Sequence, residues 1–285
     1  MGGAKTYDID TLLDEVITLP SLPDSVHRIN ELIEDPDCQL GDIAHVISGD
    51  PAIAIKTLRL VNSAYYGLGQ EVATVEHAVV LLGVKVIKNL ATTATVFEAM
   101  KGSATQFLQH SIATGVAMKS FVDHGPLKGM LGSGDEAFIF GLLHDIGKVI
   151  LQEYLPDAYR EVAGYVRDNK VAWHVAEQHL IGVDHASLGA RLAAKWKLSK
   201  PLIHAIAGHH NFQAADEDCR KIAAALAIAD LLASKTGLPS YEDPVFNLSP
   251  ECWERSGLRG DDLVRAVGGF FDDFGTVNEL MVLAH

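Results

Sequence analysis

Seven side chains in this sequence combine the types and settings that could hold metal: His110, His144, Asp145, His185, His209, His210 and Asp230. The sharpest signal is the pair His144-Asp145. The mostly apolar run Phe138 to Leu143 leads straight into it, and Ile146-Gly147-Lys148 follows. Such a run reads as a helix buried on most of its circumference. A carboxylate at the end of that helix is costly unless its charge is compensated. A cation shared with imidazole would compensate it, and this donor mix suits iron, manganese or zinc better than magnesium or calcium. Neighbouring residues on a helix point about 100° apart, so the dyad needs ligands from elsewhere. Asp230 carries the same message, as the one charged residue between Lys221 and Lys235, amid Ala227, Ile228, Ala229, Leu231 and Leu232. His110 precedes small and apolar residues, His185 opens a helix with Ala186 and Gly189 nearby, and His209-His210 closes another. Lys148 could meet a phosphate as a point charge, although a lysine just past a helix end is also a common surface residue. The remaining histidines, His27, His45, His77, His124, His174, His179, His204 and His285, read as ordinary hydrogen-bonded or surface groups.

The elements that must position these residues all have helical period. Helices are expected over Asp8 to Leu19, Pro23 to Glu34 and Gln39 to Ser48. Another opens at Asp50-Pro51, an N-cap followed by proline at the first helical position, and ends near Asn62. Thr74 caps a helix that Gly83 closes, and Val84 to Met100 continues as the next. A long helix runs from Ser103 through His110 to Asp123. The glycine-rich stretch from His124 to Gly134 is turn-rich. After the dyad helix come Lys148 to Leu155, Asp157 to Asn169, Val171 to Leu180 and His185 to Trp196, the last capped by Asp184. A helix opened by Ser199 and Pro201 ends at His209-His210. Arg220 to Lys235, Pro250 to Ser256 and Asp262 to Leu283 complete an all-α chain without an alternating run that would make a strand.

At 285 residues the chain can bury a large core in one domain or two smaller ones. A formal charge of -14 argues against broad electrostatic binding to nucleic acid or an anionic membrane surface. No uncharged apolar stretch is long enough to span a bilayer, and the N-terminus lacks an apolar signal core. Three cysteines, Cys38, Cys219 and Cys252, are widely spaced and suit a reducing compartment. A cytoplasmic location is expected.

The order His, His-Asp, distal Asp resembles the HD superfamily of metal-dependent phosphohydrolases. The closer resemblance is to HDOD proteins, the HD-related output domain, and it covers nearly the whole chain. It is carried by Leu19-Pro20-Ser21-Leu22-Pro23, Asp50-Pro51-Ala52, Leu60-Val61-Asn62-Ser63-Ala64-Tyr65-Tyr66, Val75-Glu76-His77-Ala78-Val79 and Leu81-Leu82-Gly83. It continues in Gly141-Leu142-Leu143-His144-Asp145-Ile146-Gly147-Lys148, Gly182-Val183-Asp184-His185-Ala186, Gly189-Ala190 and Trp196. The resemblance implies a multi-helical fold with an N-terminal helical subdomain over 1–102 and an HD-like helical subdomain over 103–285. It implies two divalent ions, iron or manganese before zinc. Asp145 would bridge them; His110, His144 and Asp230 would complete one shell and His185, His209 and His210 the other. It also implies a bacterial signalling role exercised through a protein partner, with a metal-binding pocket. The alternative is a working phosphohydrolase on a phosphate-containing small ligand, with Asp145 and Lys148 as its catalytic groups. After His209-His210 this chain reads Asn211-Phe212-Gln213 and lacks the Gly-Tyr-Pro of the superfamily's cyclic-dinucleotide phosphodiesterases.

Overall fold

The structure is a computed structural model that describes residues 28, 29, 31, 32, 38–63, 66, 68–99, 105–238, 240, 248–275, 277, 280 and 281. Among these every regular element is helical. The helix expected over Asp8 to Leu19 lies outside the described residues. Of the next, Arg28, Ile29, Glu31 and Leu32 are described, and all are helical.

Three helices form the N-terminal group: α1 (Leu40–Ser48), α2 (Pro51–Val61) and α3 (Val75–Ala99). Their starts are chemical. The Asp42 carboxylate accepts the Gln39 backbone N–H at 2.9 Å, Asp50 accepts from Ile53 N–H at 3.2 Å, and the Thr74 hydroxyl accepts from His77 N–H at 3.2 Å. Each satisfies a donor that the first helical turn leaves orphaned. The span Val75–Ala99 is broken at Gly83, whose φ of 81° is non-helical, so the two helices expected on either side of that glycine meet there in a kink. Helices α1 and α2 pack on α3 and bury Ile43, Ile47, Leu60 and Val61.

The rest of the chain folds around α4 (Thr105–Asp123). Three helices pack on it: α5 (Gly134–Leu143), α11 (Arg220–Lys235) and α13 (Gly260–Asp273). Between α5 and α11 run α6 (Ile146–Tyr154), α7 (Pro156–Asn169), α8 (Trp173–Leu180), α9 (His185–Lys195) and α10 (Lys200–Gly208); α12 (Pro250–Ser256) follows α11. Two short 3₁₀ turns, Phe212–Ala214 and Glu217–Cys219, link α10 to α11. Helix α5 is buried on all sides from Ala137 to Leu143, as its apolar run requires. Ser133 caps it by accepting from Glu136 N–H, and Asp184 caps α9 by accepting from Ser187 N–H at 2.7 Å. The last long helix is interrupted after Asp273, where Phe274 and Gly275 form a turn, and Val277, Leu280 and Met281 beyond it are helical; the expected end at Leu283 lies outside the described residues. Asp272 and Asp273 oppose the helix dipole at that end, and Gly275 lies just beyond.

Two glycine contacts set the geometry of the interior. A Cβ on Gly141 would stand 2.3 Å from Gly115 N, so α4 and α5 touch backbone to backbone. A Cβ on Gly147 would stand 2.0 Å from His185 O, so the start of α6 rests on the start of α9. One apolar core runs continuously from Ile29 to Met281 through both the N-terminal group and these helices.

Candidate metal centre

The seven sequence-predicted ligands converge. Their donor atoms form two groups, His110 with His144 and Asp230, and Asp145 with His185, His209 and His210. Within each group the atoms lie within 4.8 Å of one another. The dyad occupies the turn between α5 and α6, with Asp145 at φ −99°, ψ 9°, in the sparsely used bridge region where active-site residues are often found. The Gly115–Gly141 contact brings His110 beside His144, Nε2 to Nε2 at 3.3 Å. The alanine-rich face of α11 lets Asp230 approach, its Oδ1 3.1 Å from His110 Nε2. The Gly147 contact sets His185 Nε2 3.2 Å from Asp145 Oδ1. His185 Nε2 in turn lies 3.3 Å from His209 Nε2 and 2.7 Å from His210 Nε2.

Asp145 stands between the groups. Its Oδ2 faces His144 Nε2 at 3.4 Å and His110 Nε2 at 3.9 Å. Its Oδ1 faces His185 at 3.2 Å and His209 at 3.6 Å, yet among the described residues that buried oxygen has no aligned hydrogen-bond donor. Lys148 is buried, 6% exposed, and its Nζ donates to Asp145 Oδ2 at 2.7 Å and to Ser240 Oγ at 2.9 Å. The surface reading of Lys148 is therefore set aside.

The rings are oriented from behind. His110 Nδ1 meets Leu238 O, His144 Nδ1 meets Gly141 O and His209 Nδ1 meets Ile206 O, each at 2.7 Å. His185 Nδ1 meets Glu177 Oε2 at 2.5 Å. Carbonyls and carboxylates only accept, so the proton in each neutral ring sits on Nδ1 and the Nε2 lone pair points into the cluster. Burial would raise both carboxyls; His144 and Lys148 hold Asp145 well below its ordinary range, and His110 holds Asp230 down. Burial, against the pull of Asp145 and Asp230, lowers His144 to about 4. Burial likewise pushes His210 well below its ordinary value, aided by His209 and His185. Burial also opposes charge on His185, but Glu177 leads the groups that hold it up to about 9.

Lys148 and a proton on His185 offset part of the carboxylate charge, and the remaining lone pairs and carboxylates are aimed at common points that a divalent ion would fill. Two donors each about 2.0–2.1 Å from one ion stand roughly 3 Å apart. Four of the separations, 3.1–3.3 Å, match that edge, while His185 and His210 stand closer, at 2.7 Å. The residues present fit a divalent metal, and the nitrogen-rich set with few carboxylates suits iron, manganese or zinc. Six of the ligands are sealed at 0–4% exposure; His210 is the half-buried one. It borders, with His209, a cavity of about 290 Å³ also lined by Asn211, Phe212, Gln213 and Cys252.

Two contributors escaped the sequence reading. Glu177, fully buried, takes both His185 Nδ1 and the His185 backbone N–H. Its only signal was a position on the Trp173, Ala176, Leu180 face of α8. His174 stacks on His210 with ring centroids 4.3 Å apart and planes 16° from parallel.

An all-helical fold around a His/Asp pocket of this order defines an HD-type protein. The chain belongs to the HDOD family, whose model matches residues 19–212. The fold is shared with an HDOD domain protein of unknown function from Geobacter sulfurreducens, at TM-score 0.75 and 22% identity, covering 97% of this chain and 98% of that one. A candidate phosphohydrolase from Shewanella amazonensis SB2B matches at TM-score 0.76 and 24% identity, over 96% and 98% of the two chains. A candidate signal transduction protein from Marinobacter aquaeolei VT8 matches at 0.72 and 21%, over 99% of this chain and 62% of that one. An uncharacterised protein of Treponema pallidum (strain Nichols) is 29% identical over 229 residues, 78% of this chain; the chain spans 43% of that curated relative's length. Among the described residues no helix is long and apolar enough to cross a membrane.

Proposed function

We propose that the pocket is a two-ion centre and that the chain is a metal-dependent phosphohydrolase of the HD type. The observation that carries this reading is Asp145, whose two oxygens face two separate groups of histidines. Bound divalent ions would supply a polarised water as nucleophile and a clamp on phosphoryl oxygens. The chain's own residues do the rest. His110, His144 and Asp230 hold one side and His185, His209 and His210 the other. Lys148 sets a buried positive charge at the edge of Asp145, where it would face an incoming phosphoryl oxygen. The cavity beside His209 and His210 gives a substrate its approach.

A second reading, a signalling module whose metal is structural or sensory and which acts through a protein partner, also has an observation behind it. Six ligands are nearly sealed, and helices α1 to α3 contribute none of the seven while exposing Ile55 and Val80. Fold alone does not decide between the two. The deciding experiment is elemental analysis of protein prepared without added metal or affinity nickel, followed by assay on mono- and diester phosphates and cyclic nucleotides. Two equivalents of iron, manganese or zinc, lost together in Asp145→Ala, with turnover that disappears in the same variant, support the hydrolase. Two ions without turnover leave the signalling module. Absence of metal from a folded protein sinks both.

A further inference from the structure

Helix α8 supplies no ligand, yet it stands directly behind the three-histidine group. We propose that α8 is the positioning element for that half of the site: His174 fixes the plane of His210, and Glu177 fixes His185. The inference rests on the metal reading above. His174 and Glu177 are three residues apart and so share one face of the helix. His110, His144, His185 and His209 are each anchored through Nδ1. Among the described residues His210 has no such anchor, and its ring is held by the face of His174 instead. A near-parallel contact resists rotation of the His210 ring about its own bond. That rotation would swing Nε2 away from His185, to which the His210 ring now stands at 88°. Glu177 does the equivalent for His185 with both oxygens committed: Oε2 takes the ring and backbone N–H groups, and Oε1 accepts the Tyr159 hydroxyl at 3.2 Å. Among the described residues His174 Nδ1 is itself buried without a hydrogen-bond partner. A polar atom left unsatisfied beside a functional cluster calls for an explanation. Here the ring is kept for its face.

Removing a group that orients a metal ligand typically weakens metal binding 10–100-fold. The test is metal stoichiometry and affinity, by elemental analysis after dialysis against graded chelator, with thermal unfolding as the control for folding. His174→Ala is expected to lose the ion of the three-histidine half about 10–100-fold more easily and to keep the other. His174→Phe, which restores a flat ring without nitrogen, is expected to retain both. Glu177→Gln, which keeps an acceptor, is expected to fall between wild type and His174→Ala. The proposal is overturned if His174→Ala holds two ions with wild-type affinity, or if His174→Phe loses metal as readily as His174→Ala. The latter would make the His174 nitrogen, not its face, the active group. A wild-type protein with fewer than two ions would instead remove the metal reading itself, and this inference with it.

Discussion

The two halves of the pocket are built differently. His110 and His144 are anchored on backbone carbonyls of Leu238 and Gly141 and, with Asp230, lie sealed in the core. In the other half His209 is likewise anchored on a carbonyl, that of Ile206, but His185 and His210 rest on side chains, Glu177 and His174, and this half reaches the cavity at His210. Charge sets one ring apart, because burial pushes His210 as well as His144 below the ordinary histidine value. Burial keeps His144 neutral, lowered to about 4. Glu177 overcomes burial and raises His185 to about 9, so that in the metal-free protein a proton stands where a cation would. A backbone-braced ligand set is fixed as soon as the helices pack, whereas a side-chain-braced set can be tuned by single substitutions.

That contrast is broken most severely at the ligands. Asp230→Asn is expected to delete the ion of the carbonyl-braced half and His209→Asn that of the other, each leaving one equivalent; Asp145→Asn should leave none. Elemental analysis reads all three, and an equal loss of both ions in Asp230→Asn would show that the halves do not act separately.

Lys148→Met comes next. It removes the ammonium 2.7 Å from Asp145 Oδ2 and leaves a buried carboxylate short of its partner, a loss of about 3–5 kcal/mol in the metal-free protein. Metal loading should recover much of that stability, since ions would replace the missing charge. Thermal unfolding with and without metal checks this; an identical deficit in both states contradicts it.

Titration should separate His185 from His144 by sign. His185 binds its proton more tightly folded than unfolded, so its contribution is fully present below about pH 6.5 and disappears as pH rises through about 9. His144 does the opposite. The unfolded chain takes up a proton that the folded one refuses, so stability falls as pH drops from about 6.5 to about 4. Each amounts to about 3 kcal/mol. Denaturant unfolding of metal-free protein should therefore show a maximum near pH 6.5. His185→Gln should remove the alkaline limb and spare the acidic one.

The smallest effects belong to the glycines. Gly141→Ala drives a methyl group against Gly115 and Gly147→Ala against the His185 carbonyl, each expected to cost about 1–3 kcal/mol. Gly141→Ala should weaken metal in the His110–His144 half and Gly147→Ala in the His185 half, as read by chelator competition.

Several element starts were legible because they are written in local chemistry: Asp50-Pro51, Thr74 and Asp184 cap helices where the sequence marks them, whereas the Ser133 cap fell in a stretch read as turns. The ligands were legible for a related reason. A carboxylate such as Asp230 amid alanines and leucines, or a dyad ending an apolar run, is a local contradiction that only a partner resolves. The residues behind the rings were not. Glu177 and His174 lie on an ordinary amphipathic helix whose neighbour Val175 is 47% exposed, and nothing in their spacing tells whether that face meets solvent or a histidine 8 or 36 positions away. Lys148 was equally undetermined, because a residue one turn past a buried helix can point either way. Those choices were made by backbone approach, α4 on α5 at Gly115–Gly141 and α6 on α9 at Gly147. Local sequence was enough to mark the buried carboxylates and imidazoles that need a partner. The packing of helices distant in the chain settled which of them meet and what holds each ring in place, because those contacts lie between residues far apart in sequence.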